Sequence, residues 1–573
     1  MLAIVAVLWA TTDDRHAGVI ADGRQMAWTA IALTESGTIG QTRYRDLTVP
    51  RPQGDAVSRY GIAMSLAQVP AALLAPVVER SLGPGSSQPL FIVSSFLFVM
   101  LTAVFAAAAA RALGASARGE RIALVLATIG SPLAAYAALD LSEPLQAACL
   151  AAAYLAALRR HGALAGLAVG LAVLTKSSLL VVAPLACLPL LAAPRDERRR
   201  IILHALATFG ACLFTWLVLE VDRFGRPFAS YGGEGFTHPF VDGLWRLLVG
   251  VNKGILWYFP AIVAVAFALR SRRIWHERGL AVAGAILPFA ALLALAAPWW
   301  AWDGAFGWGP RLIVPAIPLL AACAAVEIET WTLAPRAILL GASVLVNVPP
   351  LLAHPAAIAQ EELAETWPEV SPDVAARVPP FARRRDGETW RVVPHVVRST
   401  VASASPLVEV PRSFVRQPAW HAWGRGFLPS DADRPYGRVY DRGLADQVMR
   451  AQHMRDLLTA DRLARKLSAL APDGFSDALL METYRLQHRD QDAVNYLTSL
   501  PVERRQHPAI NVVLALWERD RGNEQGARAF LESVAHAFPD SPVQRAVKAP
   551  LPQWPADFAT ITEDDALRVG SSN

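Results

Sequence analysis

From Leu90 to Leu352 the chain repeats one pattern: a long apolar run, a short polar connection, and another apolar run. Reading each run as one helix predicts spans from about Leu90 to Ala110, from Ile122 to the YAALDLSEPLQ turn, and from Pro144 to Arg159. Next come GALAGLAVGLAVLTK and SSLLVVAPLACLPLLAA, then Ile201 to Leu219, Gly254 to Leu269, Leu280 to Ala297, Leu312 to Val326 and Ala337 to Leu352. With the N-terminal run MLAIVAVLWATT this makes about 11 spans, although that first run, at about a dozen residues, is short of the roughly 20 a span requires. It has no basic start and no small-residue cleavage pattern, so a cleaved signal is not expected. In the first polar loop, Asp22 opens a segment in which Met26, Ala30 and Leu33 share a helical face and Gly37 ends the pattern. It reads as a short helix lying on the membrane. SRYGIAMSLAQVPAALLAPVVERSLG carries Gln68, Pro70, Pro76 and charged ends, and reads as a second interfacial helix on the same side.

Basic clusters assign the sides. Arg111, Arg118 and Arg121, then Arg159 and Arg160, then RDERRR, then RSRR fall on alternate connections, which the positive-inside rule places in the cytoplasm. The unusual polar loops therefore share the opposite face. There the chain collects Asp13, Asp14, Asp22, Asp140, Glu143, Lys176, Glu234, Lys253, Trp299, Trp300, Trp302, Asp303, Trp308 and Arg311.

Composition agrees with a polytopic membrane protein: 573 residues, 53% hydrophobic and 18% charged, are too apolar for an ordinary soluble enzyme. The net charge of +5 is spread over short clusters between spans, which excludes a basic nucleic-acid face. Cys149, Cys187, Cys212 and Cys323 all lie within apolar runs without metal-ligand spacing, so neither a disulfide framework nor a zinc site is expected.

After Pro355 the chain turns polar. The expected division is a membrane domain over 1–353, a Pro/Arg-rich connector over 354–443 with strand-like pieces such as TWRVVPHVV, helical repeats over 444–545, and a tail over 546–573. Ala460, Ala493 and Ala527 recur at spacings of 33 and 34 residues, and Pro472 and Pro539 each follow twelve positions after their alanine. That period resembles a tetratricopeptide-type array, whose paired helices expose a concave face suited to a protein partner; a generic helical bundle fits equally.

The candidate chemistry lies in the shared polar face. Acids from two separate loops, Asp22 and the Asp140/Glu143 pair, can supply a general base and an orienting or coordinating partner, while Lys176, Lys253 and Arg311 can hold a phosphate. Asp13 and Asp14 stand where the first run meets water, as site acids or as solvated loop residues. PWWAWDGAFGWGPR combines Trp300 and Trp302 with a charged Asp303/Arg311 pair in a glycine-rich loop capable of stacking on a carbohydrate or polyprenyl group. The competing reading of its tryptophans is an interfacial belt.

DGRQMAWTAIALTESG, YAALDLSEPLQ, GLAVGLAVLTKSS, NKGILWYFPAIV and WWAWDGAFGWGPRLIVPAIP, in that order, resemble the GT-C superfamily of membrane glycosyltransferases. That class includes the protein O-mannosyltransferases and the lipid A aminoarabinose transferase. The resemblance covers most of residues 1–352 and implies an all-α polytopic membrane enzyme of GT-C-type architecture, integral to the cell membrane with its site and C-terminal repeats extracytoplasmic. It further implies a polyprenyl-phosphate sugar donor among membrane lipids, inverting transfer to an acceptor hydroxyl, and no nucleic acid. By position the catalytic acid carries to Asp22, the second-loop acid to Glu143 or Asp140, and the phosphate-binding cations to Lys176 and Arg311. Many relatives have a second acid after the first and an aromatic four residues on; here Gly23 and Met26 stand there. That leaves open the choice between Asp22 and the Asp13/Asp14 pair, and whether a divalent metal ion takes part. The alternative function is a non-catalytic scaffold or transporter whose repeats recruit an envelope complex, although a transporter would place its charges near the bilayer midplane.

Overall fold

The computed structural model of the chain describes residues 21–40, 49–50, 56–82, 88–228, 234–270, 272–305, 307–352, 368–386, 388–400, 407, 448–449, 451–452, 457–470 and 474–537. The N-terminal run, Asp13 and Asp14, Pro472 and Pro539 lie outside them. The chain divides into two units, one of Met1–Gln41, Leu47–Pro76 and Ser87–Leu428, the other of Thr42–Asp46, Val77–Ser86 and Pro429–Asn573.

Among the described residues five helices are long and apolar enough to cross a membrane: Leu90–Ala112, Arg195–Phe224, Arg278–Ala296, Arg311–Ile328 and Leu333–Leu351. Ile62–Val78, Glu143–Leu158, Gly162–Thr175 and Leu179–Ala192 are apolar but shorter. Glu143–Leu158 and Gly162–Thr175 are unbroken but short, the N-terminal run lies outside the described residues, and the remaining differences from the expected eleven arise where hydropathy sees a continuous run and the backbone does not. After the helix Ala117–Leu126, the run continues as a 3-10 turn over Pro132–Ala138. Leu179–Val182 passes into a 3-10 stretch, Ala183–Ala192, that contains Pro184 and Pro189, and Ile255–Tyr258 is separated from Ile262–Arg270 at Pro260. Proline lacks the amide proton a helix interior needs, and its ring clashes with the preceding turn. The segment expected as a second interfacial helix is helical over Ile62–Leu82 despite Pro70 and Pro76.

The membrane helices differ in what they bury. In Arg311–Ile328, 78% of the apolar window is inside the protein, whereas in Arg195–Phe224 only 11% is, so the first is the bundle's centre and the second turns its apolar surface to lipid. Arg195–Phe224 is held by close approach to Gly162–Thr175. Gly162, Gly166 and Gly170 recur every fourth residue, and a Cβ on each would stand 2.0, 2.0 and 2.2 Å from Ile201 O, Ala205 O and Cys212 Cβ.

Residues expected as connector contribute to the first unit. Glu369–Val370, Thr389–Val392 and Arg383–Asp386 form a three-stranded antiparallel sheet with Thr389–Val392 in the middle. Its apolar side packs with the helix Pro394–Arg398 around Ala375, Val378, Ala382 and Val392, and Trp300 packs against that cluster.

The second unit is helical: Leu457–Leu470, Gly474–Leu486, Asp490–Ser499, Pro508–Asp520 and Glu524–Ala537 enclose a core of Leu463, Leu479, Leu516 and Leu531. Ala460, Ala493 and Ala527 are each fully buried.

Candidate active site

The site forms where four chain segments meet at the ends of the bundle helices. Asp22 lies in the first turn of the helix Ala21–Ser36, Glu143 begins the helix Glu143–Leu158, Lys176 caps Gly162–Thr175, and Arg311 opens the stretch leading into Ile317–Ile328. Arg311 joins the acids, its Nε donating to Glu143 Oε1 at 2.7 Å and its Nη2 to Asp22 Oδ2 at 2.6 Å. Tyr60 donates its hydroxyl to the remaining Asp22 oxygen, Oδ1, at 2.6 Å. Glu143 Oε2 is buried with no hydrogen-bond partner among the described residues.

Burial by itself would raise the pKa of Asp22, but the Arg311 guanidinium and the Tyr60 hydroxyl outweigh it and hold the carboxyl below its ordinary value. Asp22 is therefore ionised at neutral pH. Lys176 shows the opposite balance: burial and Arg311 lower it, against the raising effect of Glu143, Asp22 and Glu234. Its ammonium makes no hydrogen bond or ion pair to a described residue. A lysine among acids, none of them bonded to it, offers three donors to an anionic ligand.

Asp140 reaches the site from the other side. Its carboxyl carbon is 2.0 Å from where a Cβ on Gly23 would stand, so any side chain at position 23 would have to push the Asp140 carboxyl aside. The space beside Gly23 is thus filled by an acid from the second loop.

The tryptophan loop is anchored differently from its expected stacking role. Trp302 and Trp308 are buried, and Trp308 donates its indole N–H to Asn347 Oδ1 at 3.2 Å. Trp300 is half-buried and donates to Glu234 Oε2 at 2.8 Å, and Glu234 in turn pairs with Arg59. Asp303 does not pair with Arg311. It accepts from His395 Nδ1 at 3.0 Å and from Ala305 N at 3.3 Å, and His395 and Lys253 hold it ionised against burial. Lys253, expected to bind phosphate, donates to Ala305 O at 2.9 Å and Gly307 O at 2.6 Å. It closes the loop's backbone and is a structural staple in this arrangement.

Of the expected residues, then, Asp22, Glu143, Arg311, Lys176 and Asp140 converge; Trp300 stands at the edge, Trp302, Asp303 and Lys253 shape the loop, and Asp13 and Asp14 fall outside the described residues. Sequence reading missed Tyr60, Arg59, Gln25 and His395, and saw Glu234 without a role. The SRYG tetrapeptide, an aromatic and a cation before an apolar helix, was the available signal.

Among the described residues no group of three His, Cys, Asp or Glu is placed to hold a metal ion. The donor set explains this: the guanidinium of Arg311 bridges Asp22 and Glu143, putting a fixed cation where their oxygens would have converged on a metal. The described residues do not fit a divalent ion in this arrangement.

No family model and no curated protein matches the sequence. Among solved structures, the crystal structure of ArnT from Cupriavidus metallidurans bound to undecaprenyl phosphate matches over 87% of this chain and 80% of that chain, at 14% identity and a TM-score of 0.44. A likeness that distant fixes neither family nor chemistry, and the site stands on its own residues.

Proposed function

We propose that this protein is an integral-membrane glycosyltransferase of GT-C type that moves a sugar from a polyprenyl-phosphate donor to an acceptor hydroxyl on the extracytoplasmic face. The observation that carries the reading is the Arg311 bridge between Asp22 and Glu143 beside a lysine that makes no hydrogen bond or ion pair to the described residues. An ionised acid next to two cations, at the ends of membrane helices, suits a reaction that deprotonates a hydroxyl while a phosphate departs. The order of motifs shared with the superfamily supports the same reading.

In the transfer step Asp22 takes the proton of the acceptor hydroxyl, and the acceptor oxygen forms a bond to the anomeric carbon. The bond from that carbon to the phosphate oxygen breaks, and the lipid phosphate leaves with the electron pair. Lys176 and Arg311 stabilise the charge on the leaving phosphate, Lys as a point charge and Arg through the three N–H groups it does not give to the acids. Glu143 orients Arg311. Asp140, packed on Gly23, holds the first loop against the second.

For the C-terminal unit, the buried Ala460, Ala493 and Ala527 at a repeat spacing support a tetratricopeptide-like array that docks a protein partner on the same side of the membrane.

The test is sugar transfer in proteoliposomes from radiolabelled polyprenyl-phosphate hexoses and pentoses to envelope extract, with wild type and Asp22→Asn. Transfer by the wild type and a loss of about 100-fold or more in the variant is expected, the range that removal of a general base produces. Equal transfer by both removes Asp22 as the base, and a cellular role that survives Asp22→Asn points to the scaffold.

A further inference from the structure

The segment Ser58–Gly61 enters the site from a part of the chain without an expected functional residue, yet it touches three of the site's elements. Tyr60 donates to Asp22 Oδ1 at 2.6 Å. Arg59 pairs with Glu234, which receives the Trp300 indole N–H. A Cβ on Gly61 would stand 2.2 Å from Leu174 O and 2.4 Å from Thr175 O, so the segment lies directly against the end of the helix that Lys176 caps.

The segment is itself held from both sides. Gln25, one turn after Asp22 on the same helix, accepts through Oε1 from Ser58 Oγ at 3.1 Å and from Arg59 N at 3.3 Å. Ser58 Oγ accepts from Tyr60 N at 3.1 Å. From the long lipid-facing helix, the buried Arg223 donates to Tyr60 O at 2.6 Å and also to Ser58 O. A tyrosine whose backbone is tied at its amide and its carbonyl cannot follow its partner if the partner moves, so its hydroxyl defines where the Asp22 carboxylate sits.

We propose that Tyr60 is a positioning residue for the first-loop acid: its hydroxyl fixes Asp22 Oδ1, and the Ser58–Gly61 segment sets that carboxylate against Lys176 and Arg311. The catalytic part of this rests on Asp22 acting as the base. Arg311 alone cannot define the carboxylate's position, because its guanidinium is shared with Glu143 and must also answer to an arriving phosphate. Tyr60 gives its one hydroxyl hydrogen to Asp22 and keeps that bond when Arg311 is drawn toward the ligand. Among the described residues the groups facing Asp22 are Arg311, Tyr60 and Lys176, with Glu143 across the guanidinium and Asp140 across Gly23.

The experiment reads Asp22 with and without turnover, on the full-length protein in detergent. Carbodiimide modifies only the protonated carboxyl, so mass-spectrometric labelling of Asp22 against pH follows its protonation with no substrate present. In Tyr60→Phe the labelling curve is expected to move up by about one pH unit, because the ionised carboxylate loses a hydrogen bond. In the proteoliposome assay kcat falls about tenfold while KM for the lipid donor stays within about twofold, since the phosphate contacts are untouched. If Tyr60→Phe melts before it can be assayed, 3-fluorotyrosine at position 60 keeps the ring and strengthens the donor, and the labelling curve moves down. An unchanged labelling curve in the variant that folds overturns the proposal. Transfer that survives Asp22→Asn while the labelling curve still shifts overturns the base assignment and leaves Tyr60 as the fixer of an acid with another task.

Discussion

Replacing Arg311 with glutamine tests the arrangement most directly. The guanidinium makes a 2.6 Å bond to Asp22 and a 2.7 Å bond to Glu143, and glutamine can serve one of them at best, without charge. Glu143 is left as a buried carboxylate with neither oxygen paired to a guanidinium, its side chain 2% exposed, while Asp22 keeps the Tyr60 hydrogen bond and the field of Lys176. Removing one partner of a buried pair costs about 3 to 5 kcal/mol. Because the Arg311 and Asp22 side chains are 15% and 19% exposed, the lower end of that range, about 3 kcal/mol, applies. For a chain of 573 residues that is a fall in apparent Tm of roughly 2.5 °C, measured in detergent at pH 7. The pH dependence has a definite sign. The Asp22 carboxyl is held below its ordinary value in the folded protein, so its ion pair stabilises above the unfolded value near 4 and is lost as pH falls through the folded one. The gap between wild type and Arg311→Gln should therefore narrow in acid. In the cycle with Asp22→Asn, a coupling of about 1 to 3 kcal/mol is expected, because the two side chains are in contact. A variant melting within about 1 °C of wild type at pH 7, with additive effects in the cycle, would refute the bridge.

The two lysines should separate cleanly. Lys176→Met is expected to raise KM for a polyprenyl-phosphate donor about tenfold with little loss of thermal stability, as removal of one point-charge contact to phosphate does. Lys253→Met should do the reverse: it frees the buried carbonyls of Ala305 and Gly307, costs about 2 kcal/mol in the melt, and leaves KM for the donor within about twofold.

The class of the protein was legible in one dimension. Apolar runs of membrane length, basic clusters on alternate connections and the change to polar sequence after Pro355 follow from what a bilayer and its potential accept, and these act on composition locally. Asp22, Glu143, Lys176 and Arg311 could be singled out for the same reason, since charge beside apolar runs is costly unless it is used. Which charges meet was not legible. Asp303 and Arg311 are eight residues apart in one loop and read as a pair, yet Asp303 binds His395 while Arg311 reaches back to residues 22 and 143. Lys253 and Lys176 look alike in sequence, each a lone cation at the edge of an apolar run, and only the path of the chain turns one onto backbone carbonyls and leaves the other beside the acids. Gly23, which read as a departure, leaves the space that the Asp140 carboxyl fills. Hydrophobic spacing is set by neighbours a few residues away, whereas a hydrogen bond between residues 22 and 311 depends on how every intervening helix packs. That is why the sequence alone could choose the ingredients and the tertiary structure had to choose the pairs.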